Sequence, residues 1–190
     1  NGTVTAWGWN SGGQLGNGTT DESATPVPVS GLANVVAVDA AQQQPLGPGR
    51  LSEYGPWPVA ERGNGSGARY VGFLVDTLKP LIDARYRTLP GRATTGLCGS
   101  SMGGLISLFG ALSRPDVFGF AGALSPSLWW ADEAVFPWAE QLPAGPPVRV
   151  YLDTGDREGV SLDEAAQTVE RAGRMAALLR RKGHDVRSLV

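Results

Sequence analysis

One cysteine, Cys98, and one histidine, His184, are all that the 190 residues hold of either type. A lone cysteine excludes an internal disulfide, so cysteine usage does not point to a secreted disulfide scaffold. Charge is also sparse: 18% of residues are charged, the net charge is −2 and the pI is about 5.4. That balance argues against a nucleic-acid surface built on phosphate neutralisation. No apolar run reaches transmembrane length, so no membrane span is expected. The opening NGTVTAWGWN has neither a basic nor an apolar segment, so no signal peptide is read there. The chain does not begin with Met and is expected to be a piece of something longer; the compartment, cytoplasmic or secreted, stays open. The 42% of hydrophobic residues is enough for a packed core.

Two compositions share the chain. Residues 1–40 are rich in Gly, Thr, Asn and Trp and contain no Lys or Arg. Residues 41–50, AQQQPLGPGR, read as a linker. Residues 51–190 hold the long helical patterns and nearly all the charge.

In the first segment the alternation from Thr3 to Trp9 predicts a strand, glycine-rich turns follow, and Val35–Val38 is a second β-like run. GTVTAWGWNSGGQLGNGTTDESATPVPVSGLANVVAV resembles one repeat of the regulator-of-chromosome-condensation type, the blade unit of a seven-bladed β-propeller. The GQLGNGT core and the spaced PVPV carry the resemblance. A single blade cannot bury its own faces, so a lone β-hairpin-like repeat is expected rather than a working propeller surface.

The second segment alternates helix and strand. Tyr70–Tyr86 has helical spacing, with Pro80 expected to kink or split it. Ala93–Gly99, Phe118–Leu124, Val148–Leu152 and Arg187–Val190 read as strands. Met102–Leu112 reads as a buried helix, Glu133–Gln141 as a weaker one. Leu162–Lys182 is the clearest, with acids in its first turns, bases in its last and Gly183 as its stop. Strands alternating with helices predict βαβ units and a parallel sheet, an α/β fold.

Between the strand ending near Gly99 and the helix from Met102 stands Gly99-Ser100-Ser101-Met102-Gly103, a G-x-S-x-G sequence in strand–turn–helix context. Such a corner holds its serine in a strained backbone conformation, and the flanking glycines remove side chains that would collide. The hydroxyl of Ser101 would stand at the amino end of a helix. There the helix dipole and the Met102 backbone N–H can stabilise an oxyanion. The plain alternative is a Gly/Ser-rich turn that merely packs closely.

LSEYGPWPV, FLVDTLKPLIDARYRT, GSSMGGLISLFGALSRPDVFGFAGALSPSLWW and VYLDTGDREG together resemble the Putative esterase family of α/β hydrolases. That family includes enterochelin, feruloyl and acetyl-xylan esterases, esterase D and the mycolyltransferases. The resemblance covers about 51–190. It implies a partial α/β-hydrolase sheet from the nucleophile strand onward. It also implies ester hydrolysis or acyl transfer by a Ser-acid-His triad on a small-molecule or glycan-linked ester, with no metal and no cofactor. The triad acid maps to Glu158, three residues after the glycine of the turn Asp153–Glu158, with Asp156 as the alternative and Asp153 assigned to the strand end. The plain alternative for that turn is a solvated acidic turn or an N-cap for the following helix.

The family's histidine follows the last strand, whereas His184 precedes it, so His184 reads as a residue at a helix C-terminus. The sequence stops at Val190 before such a loop, and the strands in front of the nucleophile strand are also missing from the pattern. A weak or inactive chain is therefore expected, with an unpaired sheet edge through which it could oligomerise. Trp129 and Trp130 could line a substrate pocket or pack beneath a lid. Tyr54 and Trp57 resemble the family's loop near the pocket. Cys98 reads as a small buried filler. The sequons at Asn17 and Asn64 read as turn chemistry. The rival readings are a repeat-type binding module and an inert fragment.

Overall fold

The structure is a computed structural model that describes residues 5–8, 17–28, 48–158 and 161–189. The chain divides into two units between Val38 and Asp39.

In the first unit β1 (Thr5–Gly8) pairs antiparallel with β2 (Ser23–Pro28), with Thr5 opposite Pro28 and Ala6 opposite Val27. Pro26 and Pro28 hid β2 from a reading of the sequence. In a two-stranded ribbon each strand keeps an outer edge, where a missing N–H interrupts no ladder. Before β2, Asn17 Oδ1 accepts from the Thr19 N–H at 3.1 Å and the Thr19 hydroxyl at 2.9 Å, so this sequon forms a local turn. The expected strand at Val35–Val38 lies outside the described residues.

The second unit opens with α1 (Pro48–Tyr54) and a small hairpin of β3 (Pro58–Val59) and β4 (Gly63–Asn64). The end of the stretch read as a linker is therefore helical from Pro48 onward. Next come α2 (Gly67–Phe73), a π-helical turn at Leu74–Leu78, and α3 (Lys79–Arg85). The sequence predicts a kink or split at Pro80. Instead the helix runs on through a widened turn just ahead of the proline, which sits in the first turn of α3, where its missing N–H is tolerated.

The core is a four-stranded parallel sheet in the order β5 (Gly96–Ser100), β6 (Phe120–Leu124), β7 (Arg149–Asp153), β8 (Asp185–Leu189). Among the described residues no strand pairs with the outer edge of β5. Ser100 stands opposite Leu124, Leu124 opposite Asp153, and Asp153 opposite Leu189. All four strands thus end level, on the side where open parallel sheets hold ligands.

Behind the sheet runs α4 (Met102–Ser113), buried without a break from Met102 to Leu112. Apart from the buried Ser107 it is apolar or glycine on every side through Leu112, as suits a helix with no solvent face. Trp57 closes one flank, packing edge-on against Phe109 and Trp138 at ring separations of 5.7 Å each. β6 leads to a short turn, α5 (Trp130–Glu133), then α6 (Val135–Gln141).

The last long helix, α7 (Leu162–Arg181), follows the sequence reading closely. Ser161 caps it by accepting the Glu164 N–H at 3.2 Å. Gly183 ends it at φ +87°, with the Gly183 and His184 N–H groups returning to Arg180 and Leu179. Among the described residues no helix is long and apolar enough to cross a membrane.

Candidate active site at the corner between β5 and α4

Ser101 occupies the bend where β5 gives way to α4, at φ 58° and ψ −121°. Few L-residues adopt that conformation, and holding one there costs on the order of 1–3 kcal/mol. Three backbone hydrogen bonds impose it: the Ser101 N–H donates to Leu124, and its carbonyl accepts from Leu105 and Ser127, each at 3.0 Å. The glycines are required by contact. A Cβ on Gly99 would lie 2.6 Å from the backbone of Gly103, and one on Gly104 would lie 3.0 Å from the Leu124 carbonyl oxygen. The result is an exposed serine at the start of a buried helix. Met102 is the first residue of α4, so its N–H has no acceptor within the helix and is free to serve an anion.

Two neighbours reach this corner from the loop after β6. Ser127 is 4% exposed, and its Oγ lies 3.2 Å from Ser101 Oγ. Ser125, two residues earlier, has φ 41°, and its N–H donates to the Asp153 carbonyl at 3.0 Å and to Asp153 Oδ1 at 3.2 Å. Its hydroxyl donates to Glu158 Oε1. Glu158 also accepts the Gly155 N–H at 2.9 Å, so its carboxylate folds back over the end of β7. Asp156 is exposed, and Asp153 is the last residue of β7. Ser101 and Glu158 thus leave the same end of the sheet two strands apart, about 10 Å at ordinary strand spacing.

His184 is at the other end. Val148, just before β7, donates its N–H to His184 Nδ1 at 3.1 Å. The five residues of β7 set the imidazole about 16 Å along the sheet from the edge where Ser101 stands. Burial, then the nearby Lys182, push the His184 pKa below its usual value. A neutral ring that accepts from a backbone amide is a structural cap.

The two tryptophans separate. Trp129 is 44% exposed, whereas Trp130 is 1% exposed and donates its indole N–H to the Trp57 carbonyl at 2.8 Å. Trp130 is therefore core and not a pocket wall: a Cβ on Gly55 would lie 2.8 Å from its ring. Trp57 belongs to the same packing, and Tyr54 packs on Tyr70 with rings 5.0 Å apart. Cys98 is half-buried on β5 with its sulfur over Gly122. An open cavity of about 800 Å³ lies elsewhere, lined by Glu53, Asn64, Arg69, Tyr70 and Phe73 among others, and none of the residues around Ser101 contributes to it. Asn64 in its wall accepts the Ser66 hydroxyl at 2.7 Å, so the second sequon also forms a local turn.

Ser125 and Ser127 are the neighbours that sequence reasoning missed. Serine is common in turns, and their partners lie 33 and 26 residues away in sequence. The one local signal was their regular placement around Pro126, directly after a strand.

Known proteins share this architecture. Over 116 residues the chain is 34% identical to the uncharacterized protein YbbA of Bacillus subtilis, covering 58% of this chain and 46% of that protein. Over 122 residues it is 31% identical to the iron(III) salmochelin esterase of Escherichia coli O6:H1, covering 56% of this chain and 30% of that enzyme. The chain thus spans less than half the length of these relatives. Its fold matches the crystal structure of the BES protein from Bacillus cereus with a TM-score of 0.61 at 22% identity, over 74% of this chain and 53% of that one. The Regulator of chromosome condensation (RCC1) repeat model matches residues 1–44. A second family model matches residues 30–188, most of the chain, and by that match the chain belongs to the Putative esterase family.

Proposed function

We propose that residues 51–190 form the nucleophile half of a serine carboxylic-ester hydrolase acting through an acyl-enzyme on Ser101. One observation carries the reading: an exposed serine held at φ 58° on the corner between a parallel strand and a buried helix. The Ser101 oxygen attacks the ester carbonyl carbon, the alcohol leaves, and water then releases the acid. The Met102 N–H donates to the carbonyl oxygen as negative charge develops on it. Glu158 is the acid that would orient an imidazole above β6, between the ends of β5 and β7. Trp129 would contact the substrate. A small-molecule or glycan-linked ester is the substrate class, in keeping with a relative named for hydrolysing salmochelin.

The single imidazole of the sequence caps the opposite end of the sheet, so no histidine of these residues reaches Ser101. Turnover by the 190 residues is therefore weak, limited to the roughly 10³–10⁴-fold over water that binding and oxyanion donors supply without a triad. Covalent labelling tests the nucleophile without needing turnover. A fluorophosphonate should modify the folded chain once, at Ser101, and Ser101→Ala should abolish it. A folded chain left unmodified by prolonged exposure at alkaline pH, and still unmodified once a C-terminal extension restores a histidine, would remove the esterase reading.

A further inference from the structure

The loop after β6 places a second hydroxyl against the proposed nucleophile. Ser127 Oγ is 3.2 Å from Ser101 Oγ, and among the described residues it has no other hydrogen-bond partner. The two serines are not equivalent. Ser101 is exposed and can turn its own proton to solvent or to a base, while Ser127 is 4% exposed. A buried hydroxyl needs an acceptor, and for Ser127 that acceptor is the Ser101 oxygen. Either oxygen can donate across this contact, and the direction from Ser127 to Ser101 is the one that gives the buried hydroxyl an acceptor. Ser127 is also fixed through its backbone, since its N–H donates to the Ser101 carbonyl at 3.0 Å.

Resting on the esterase reading, we propose that Ser127 is a further catalytic residue: its hydroxyl donates to Ser101 Oγ as negative charge gathers there. This does two things. It leaves the Ser101 proton pointing away from Ser127, toward the open side where a base can take it. It also strengthens while the Ser101 proton is leaving and before the new bond takes up the electron pair, because a hydrogen bond to a charged oxygen is about twice as strong as one between neutral groups. The same donor serves the return step, when the acyl carbon–oxygen bond to Ser101 breaks and the electron pair stays on Oγ. The acceptor is the attacking oxygen itself, so this donor is separate from the Met102 N–H, which serves the carbonyl oxygen.

Labelling by a fluorophosphonate reads this directly. Ser101 Oγ bonds to phosphorus, the phosphorus–fluorine bond breaks, fluoride departs and the serine proton passes to water. Ser127→Ala should slow the labelling rate about tenfold while the end point stays at one label per chain. Ser127→Cys keeps the volume but offers only a weak donor, so it should be slow as well. Ser127→Thr keeps the hydroxyl and should recover most of the rate. A merely structural role would instead lower the labelled fraction, in step with lost circular dichroism. If Ser127→Ala labels at the wild-type rate, or if the threonine variant is as slow as the alanine variant while folded, Ser127 has no such role and the esterase reading survives. A folded wild-type chain that never labels, with or without a C-terminal extension that restores a histidine, overturns both.

Discussion

The conformation of Ser101 can be tested without any substrate. Replacing it by alanine keeps a Cβ and therefore keeps the unfavourable φ of 58°. Replacing it by glycine removes the Cβ and with it the conflict. Both variants lose the hydroxyl and both deprive Ser127 of its acceptor, so those effects cancel between them. What remains is backbone strain, on the order of 1–3 kcal/mol, against the extra freedom of glycine in the unfolded chain, about 0.4–1 kcal/mol. Ser101→Gly should therefore be more stable than Ser101→Ala by about 1 kcal/mol. At an ordinary site the order is reversed, because glycine there destabilises by roughly 0.5–1 kcal/mol relative to alanine.

Equilibrium urea unfolding of the two variants side by side gives the sign. In thermal unfolding the gap corresponds to about 2–4 °C for a chain of this size. Neither variant should react with a fluorophosphonate. An alanine variant at least as stable as the glycine variant would mean that the corner is not strained, and the argument for a held, presented nucleophile would lose its physical basis.

Two further outcomes are expected. Ala131, Asp132 and Glu133 are three successive residues at φ 52°, 54° and 62°, held by ion pairs from Glu133 to Arg171 at 2.6 Å and to Arg174 at 2.9 Å. A left-handed residue other than glycine costs roughly 1–2 kcal/mol and glycine's freedom in the unfolded chain offsets about 0.4–1 kcal/mol of that, so Asp132→Gly at its exposed position should raise Tm by about 1–3 °C; a lowered Tm would contradict it. His184 has a folded pKa below its unfolded value of 6.5, so its contribution to stability is whole above that pH and declines as pH falls through the lower folded value. Tm between pH 7.5 and 5 should show that decline, and His184→Asn, which can still accept from Val148 without titrating, should flatten it; an unchanged profile would assign the loss to other groups.

How much of this was legible beforehand differs from residue to residue, and the reason is the range of the interaction. The corner at Ser101 could be read because its cause is local: Gly99 and Gly103 are four residues apart, and a Cβ on Gly99 would collide with the Gly103 backbone. The ends of α7 could be read for the same reason, since Ser161 and Gly183 act on their own helix. Trp129 and Trp130 could not be told apart. Adjacent positions differ only in which way the turn faces, and that is set by Trp57, 73 residues earlier, whose carbonyl takes the indole proton of Trp130. The sequence predicts a kink or split at Pro80 because a proline's effect on its own helix is local, whereas the π-turn that absorbs it is a response of the whole segment.

Ser125 and Ser127 follow the same logic, with a consequence for the chemistry. Each gains its role from the parallel register that sets the end of β6 between the ends of β5 and β7. One short loop therefore touches both the proposed nucleophile, through Ser127, and the proposed acid, through Ser125. Since these two groups leave strands that are not neighbours, the separation between them is fixed by β6 and its loop and not by either of their own elements. The geometry of such a site is thus a property of the sheet, and no stretch of sequence around Ser101 alone could have supplied it.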